Sequence, residues 1–238
     1  PNNYFRFKQF TIQQDRCSLK VSTDSSIFGA WTAGRLNGAA NVLALGTGTG
    51  LLTLMLAQKN RAQFDAIELD EDAFDQAVDN IQASPWGTSI RAIHADLRDH
   101  RFNKKYDFII SNPPFFASSL RSPSRGINRA RHDESLTLEE LISLLPALLE
   151  PGGRFSILLP FHRTGDLERM ASAEGFFLQE KLLIRQTPSH KPFRSVSLFA
   201  QTNPTTTVSE ELTIRDKDGN ETTALRQMMK DYYLRVNS

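Results

Sequence analysis

The chain has 238 residues, 39% of them apolar and 23% charged, with a formal net charge of +1. That supports one large core with a small appendage, and neither an apolar run of about 18 residues nor a secretory leader pattern occurs, so a cytoplasmic protein without a membrane span is expected. The single Cys17 excludes an internal disulfide, no Cys/His cluster has zinc-ligand spacing, and Cys17 is expected to be a small side chain near the surface.

In chain order, residues 1–36 are too few for an independent domain and are expected to pack on the core and the cofactor site. Asn41–Leu45 is a short buried-strand pattern, followed by Gly46-Thr47-Gly48-Thr49-Gly50 and the helical run Leu51–Ala57. Strand, glycine loop, helix is a nucleotide-binding opening. A dinucleotide fingerprint would place a third glycine where Leu51 stands, and no lysine marks a P-loop. A plain turn between strand and helix remains the alternative. The next strand, Phe64–Leu69, carries Glu68 near its end, where a carboxylate can take both ribose hydroxyls. A third, Ser89–His94, runs into Asp96 and Leu97, suited to accept an adenine amino group and to pack on the adenine face.

The fourth strand, Tyr106–Ser111, ends in Asn112-Pro113-Pro114-Phe115. The Asn112 carbonyl and the Pro113 backbone carbonyl are two acceptors for an exocyclic NH2, held by prolines that fix φ and keep the preceding residue extended. Phe115 is placed to stack the ring that bears the amine, as enzymes do with flipped bases. By itself the tetrapeptide also fits an ordinary strand-to-loop turn.

Charge is uneven. Residues 58–97 are acid-rich, whereas Arg98, Arg101, Lys104, Lys105, Arg121, Arg125, Arg129 and Arg131 face only Asp99 and Asp107 across residues 98–131. A basic stretch around the tetrapeptide suits a polyanion, although a solvated face is the simpler reading. Beyond a long loop, 116–133, residues 136–149 read as an amphipathic helix with Thr137 and Glu140 as a capping box. Pro151-Gly152-Gly153 is expected to break it before a strand at 154–159. A helix at 163–174, strands at 176–185 and 195–201, a strand at 211–214 and a helix at 223–235 complete the pattern. The stripe Leu225, Met228, Met229, Tyr232 and Tyr233 is expected on one face of that last helix. His190 reads as a surface loop residue.

The order GTGTG, Glu68, Asp96-Leu97 and NPPF resembles the S-adenosylmethionine-dependent methyltransferases of exocyclic and amide nitrogens. The segment Lys20-Val-Ser-Thr-Asp24 through Gly29-Ala-Trp31 narrows the likeness to the bacterial tRNA (adenine-N6)-methyltransferases acting on adenosine 37 of valine tRNA. Ala130-Arg131, Lys191-Pro-Phe-Arg194 and Lys230-Asp-Tyr-Tyr-Leu234 extend it over nearly the whole chain. The resemblance implies an α/β, Rossmann-like class I fold: a seven-stranded, mostly parallel sheet with helices on both faces over residues 37–203, and a strand-helix extension over 204–238. It implies S-adenosyl-L-methionine as cofactor, held by Thr23, Asp24, Gly46, Thr47, Gly48, Gly50, Glu68, Leu69, Asp96, Leu97 and Asn112. Catalysis falls to Asn112, Pro113, Pro114 and Phe115. RNA contacts fall to Arg121, Arg125, Arg129, Arg131, Lys191, Arg194 and Lys20, with Arg6, Lys8 and Arg16 near by. A monomer acting on tRNA, with no metal and no membrane partner, is expected. The chain departs from the family at Ala44, where an acid usually precedes the glycine loop; Asp24, Thr47 and Thr49 are the polar groups able to compensate. Alternatives are a protein-glutamine N5-methyltransferase of the release-factor type, which carries NPPY and a helical N-terminal domain, a DNA adenine methyltransferase, and a noncatalytic cofactor- or RNA-binding module.

Overall fold

The computed structural model describes residues 2–113 and 136–234. A hairpin, β1 (Tyr4–Arg6) and β2 (Thr11–Gln13), precedes helix α1 (Thr23–Ala33). Then come β3 (Asn41–Leu45), α2 (Leu51–Ala57), β4 (Gln63–Glu68), α3 (Glu71–Gln82), β5 (Ile90–His94) and β6 (Tyr106–Ser111). The second half supplies α4 (Leu138–Leu148), β7 (Leu149–Pro160), α5 (Thr164–Ala173), β8 (Phe177–Arg185), β9 (Arg194–Ala200), β10 (Val208–Thr213) and α6 (Thr223–Met229).

The strands β3 to β10 form one sheet of eight, in the order β10-β8-β9-β7-β6-β3-β4-β5. β5, β4, β3, β6 and β7 run parallel, β9 is antiparallel to both neighbours, and β10 pairs parallel with β8. The seven strands expected of the core are all present. The eighth, β10, comes from the C-terminal extension and joins the sheet edge beside β8. Both faces are covered: Val42, Ala44, Phe108 and Ile110 pack against α1, α2 and α6, while Leu43, Leu45, Ile109 and Phe155 pack against α4 and α5. Because side chains alternate along a strand, the central strands are apolar throughout, as a sheet buried on both faces requires.

Three local expectations are corrected. Pro151-Gly152-Gly153 does not interrupt the chain; it lies inside β7, which pairs Leu149 with Tyr106 and next Arg154 with Phe108. Gly152 at φ +81° lets the extra residues bulge out without losing the pairing. The last helix stops at Met229, so Tyr232 and Tyr233 are not part of a helical stripe. Tyr232 is buried in a following turn and donates its hydroxyl to the Met55 carbonyl at 3.0 Å, and Tyr233 bridges back to Phe7. Cys17, expected near the surface, is buried at 7% exposure, and desolvation pushes its thiol pKa up.

Helix α1 gives no periodic signal because eight of its eleven residues are buried. Its start is nonetheless set locally: Ser22 and Ser25 form a reciprocal capping box. Trp31 donates its indole N–H to Glu210 at 2.9 Å, and Arg35 lies 3.7 Å over the Trp31 ring while pairing with Glu180 and Glu210. These contacts fasten the edge strand β10 to the helix.

At the amino half of the sheet, Asp65 has a side chain only 4% exposed and receives hydrogen bonds from Arg91 Nε and Nη2 and from Tyr106 Oη at 2.6 Å, with Lys104 at 3.2 Å. Burial by itself would raise its pKa, but the bonds from Arg91, Tyr106 and Lys104 outweigh it and hold the carboxyl below the ordinary range. A depressed folded-state pKa contributes stability above the unfolded value of about 3.9, and that contribution is lost as pH falls through the folded value. Asp65→Asn is therefore expected to cost about 2–3 kcal/mol at neutral pH, with Arg91 half exposed and contributing the smaller share. Urea unfolding at pH 7 and pH 3 checks it: the gap from the wild type should narrow in acid.

Candidate cofactor and acceptor site

The carboxyl ends of β6, β3, β4 and β5 are neighbours, which brings Asn112, the Gly46–Gly50 loop, Glu68 and Asp96 to one edge in that order. Backbone bonds extend the alignment past the ladders: Thr47 N–H donates to the Ile67 carbonyl at 3.1 Å and Ala95 N–H to the Glu68 carbonyl at 3.0 Å. Ser111 Oγ donates to the Leu45 carbonyl, tying the last residue of β6 to that of β3. With strands about 4.8 Å apart, the row spans roughly 14 Å. It lies at the carboxyl edge of an open parallel sheet, where ligands of such sheets bind.

Gly46, Gly48 and Gly50 have φ of +62°, +55° and +82°. Only glycine adopts that alternation without strain. The turn directs Gly48 N–H to Glu68 Oε2 at 2.8 Å, and Glu68 Oε1 accepts from Leu69 and Asp70 N–H. Three backbone donors thus fix the carboxylate at the loop. Asn80, on the buried face of α3, donates to the carbonyls of Thr49 and Gln13 and accepts from Gln13 N–H. It locks loop, hairpin and helix together. No sequence signal marks it, since it is one polar side chain among the apolar positions of an amphipathic helix. Cys17 belongs to the same wall, its sulfur 3.7 Å from where a Cβ on Gly48 would stand.

Asp96 is engaged by Arg98, which holds its carboxyl below the ordinary range, and Leu97 is buried in the cluster with Leu45 and Ile67. Leu69 is 44% exposed at the rim. Thr23 and Asp24 open α1, where Asp24 accepts from Arg194 Nε at 2.8 Å. The structure thus joins Arg194, expected to hold RNA, to Asp24, expected to hold cofactor. Lys20 and Lys191 are exposed, Arg16 is tied to Asp79, and Lys8 to the Lys230 carbonyl. His190 is on the surface, its Nδ1 2.6 Å from Thr187 Oγ1. Ala44 is buried in the cluster with Phe28, Met55 and Ile110. Pro114, Phe115, Arg121, Arg125, Arg129 and Arg131 lie outside the described residues. Among those described, no group of three His, Cys, Asp or Glu side chains is arranged for a metal, and no helix is long and apolar enough to cross a membrane.

Asn112 differs from its surroundings in one respect. Its Oδ1 is buried and accepts no hydrogen bond, although Pro113 beside it is buried and the strand below is fully paired. A buried acceptor without a donor costs about 1–3 kcal/mol. Such an atom, at the carboxyl edge of an open parallel sheet, is able to accept an N–H from a ligand.

Residues 33–163 match the methyltransferase small domain. Over 98% of both chains, the sequence is 40% identical to the tRNA1(Val) (adenine(37)-N6)-methyltransferase of Dyadobacter fermentans, and equally to that of Tolumonas auensis. The chain belongs to this family. Among solved structures, TYW2 of P. horikoshii in complex with MeSAdo superposes with a TM-score of 0.60 at 16% identity, covering 84% of this chain and 71% of that one, a likeness of fold. The fold is that of the class I methyltransferases, and the cofactor is S-adenosylmethionine. The residues present suit it: a loop whose three glycines keep the approach open, a fixed carboxylate one strand away, and an unfilled acceptor on the other side.

Gly48→Ala is expected to stay folded, with a loss of about 1–2 kcal/mol from the left-handed backbone, and to bind S-adenosylmethionine more weakly as the N–H turns away from Glu68. Titration calorimetry beside thermal unfolding checks this; undiminished affinity would mean that the cofactor does not use this turn.

Proposed function

We propose that the chain transfers the methyl group of S-adenosylmethionine to N6 of adenosine 37 of a valine tRNA, as a cytoplasmic monomer that needs no metal. The observation that carries the reading is the buried, unpaired Asn112 Oδ1 at the end of β6, one strand from the glycine loop. An adenine N6 presents two N–H groups; Asn112 Oδ1 accepts one and the Pro113 carbonyl the other, which draws the nitrogen lone pair out of conjugation and toward the cofactor. Phe115 stacks the adenine.

Bound S-adenosylmethionine supplies an electrophilic methyl on sulfur. In the transfer a carbon–nitrogen bond forms as the carbon–sulfur bond breaks, and the surplus proton on N6 leaves to water. The protein's part is proximity and alignment: Glu68 takes the ribose hydroxyls, Asp96 and Leu97 the adenine end, and the glycine loop the methionine portion. With Ala44 apolar, Asp24 supplies the carboxylate for the methionine ammonium, from the sheet face that Ala44 shares with α1 and held by Arg194. Lys20 and Lys191, with Arg121, Arg125, Arg129 and Arg131, meet RNA phosphates. The named activity of the relatives supports the choice of tRNA over a glutamine amide.

Asn112→Ala should bind S-adenosylmethionine within about twofold of the wild type and lose roughly 100-fold or more in transfer, because a misplaced acceptor forfeits alignment. Labelled-methyl transfer to total tRNA, protein extract and DNA, with mass spectrometry of the methylated nucleoside, tests the substrate; label confined to protein would sink the tRNA reading. Replacing Lys20 and Lys191 together by alanine should lower tRNA affinity and flatten the slope of log affinity against log salt by about 1–2, at constant cofactor affinity. An unchanged slope would remove both lysines from the interface.

A further inference from the structure

Phe161 is a large ring left 40% exposed at the carboxyl edge of the sheet, the edge that carries Asn112. Its backbone is rigid. Phe161 N–H donates to the Phe193 carbonyl at 3.1 Å, its carbonyl accepts from Thr164 Oγ1 at 2.8 Å, and the 3-10 turn Phe161–Arg163 joins β7 directly to α5. Among the described residues it is the one phenylalanine that is exposed, so a ring face is available on a turn whose backbone is held. Basic side chains stand near by: Arg163 follows within the turn and pairs with Asp166; Arg194, paired with Asp24, faces Pro160 across the β7–β9 ladder; and Lys191 is exposed in the loop leading to Arg194. Parallel pairing of Ser111 with Ile157 sets Asn112 level with Leu158. Phe161 follows directly on the last residue of that strand, three residues beyond Leu158, and so lies at most roughly 10 Å further along at about 3.3 Å per residue.

We propose that Phe161 is a stacking platform for the nucleobase next to the target adenosine, holding the flanking nucleotide of a single-stranded RNA loop while the adenine occupies the Asn112 corner. This rests on the RNA reading of the site. An adjacent nucleotide in a splayed loop lies within that distance of a flipped base, and single-stranded RNA is held by bases stacked on aromatic rings with cations along the backbone. Phe161 contacts no reacting atom, so its effect belongs to substrate binding and specificity.

The test uses the full chain with Phe161→Ala and Phe161→Trp, and an RNA stem-loop carrying 2-aminopurine either immediately 5′ or immediately 3′ of the target adenosine. Stacking of one base is strong enough that the alanine variant should raise KM for tRNA roughly 5- to 100-fold, with kcat and S-adenosylmethionine affinity near wild type, and the tryptophan variant should restore KM. With wild-type protein one of the two probes should be quenched on binding, and that quenching should vanish in Phe161→Ala. Unchanged KM, or quenching that survives the substitution, overturns the proposal. Its failure is separable from failure of the RNA reading: in the latter case wild-type protein methylates no RNA, whereas here wild-type protein methylates and only the Phe161 effect is missing.

Discussion

The site depends on the parallel pairing of β3 with β4 on one side and β6 on the other. Leu45 lies level with Ile67 and with Ser111, so Gly46, Glu68 and Asn112 leave the sheet at one height. A slip of one residue in either ladder would turn every side chain of that strand to the opposite face. Such a slip is prevented because both faces are buried: Val42 and Ala44 face one apolar cluster, Leu43 and Leu45 the other. Hydrophobic packing on the two faces therefore sets the distance between the glycine loop and the Asn112 amide.

Polar groups are treated differently at the two ends of this sheet. At the amino half, Asp65 is enclosed by Arg91, Tyr106 and Lys104, and Asp107 accepts from the backbone N–H groups of Ala40 and Asn41. Those carboxylates are saturated and act as ties. At the carboxyl half, Asn112 Oδ1 is left without a donor, three glycines hold left-handed backbone, and a phenylalanine stands in water on a rigid turn. Gln58 Oε1, at the end of α2, is the other buried acceptor without a partner among the described residues, but only at the carboxyl edge do several broken local rules fall together, as at a site that a ligand would complete.

The strands that build the site were legible in the sequence because a central parallel strand is a short apolar run bounded by turn residues. Asn41–Leu45 and Tyr106–Ser111 were placed to the residue, and the glycine loop and NPPF stand where those runs end. What was not legible has physical causes. Helix α1 is buried nearly all round and lacks the apolar-polar alternation that would reveal it. Hairpin β1–β2 has strands of three residues, too short for a period-two pattern. Pro151-Gly152-Gly153 has the composition of a breaker, yet tertiary pairing turns it into a bulge. The extension was recognised as a strand and a helix, but joining β10 to β8 depends on long-range contacts of Glu210 with Trp31 and Arg35 that no local pattern encodes.

The N-terminal segment shows how such long-range contacts serve the site. Residues before β3 supply no strand to the main sheet, yet they press on the glycine loop: Gln13 and Thr49 share Asn80, Cys17 approaches Gly48, and Gly29 of α1 is packed so closely on Met55 of α2 that an added Cβ would come within 2.6 Å of its sulfur. That close approach brings α1 down onto the helix that follows the loop and sets Asp24, in the first turn of α1, against Arg194 at the start of β9. A negative charge in a first helical turn is favoured by the helix dipole, and the guanidinium fixes where it points. The glycine loop is consequently shaped from two sides, by the strand that carries it and by a segment distant in sequence. Loosening α1 would disturb the loop and the Asp24–Arg194 pair together, so packing, the Asn80 hydrogen bonds and that ion pair act as one tie across the carboxyl edge of the sheet.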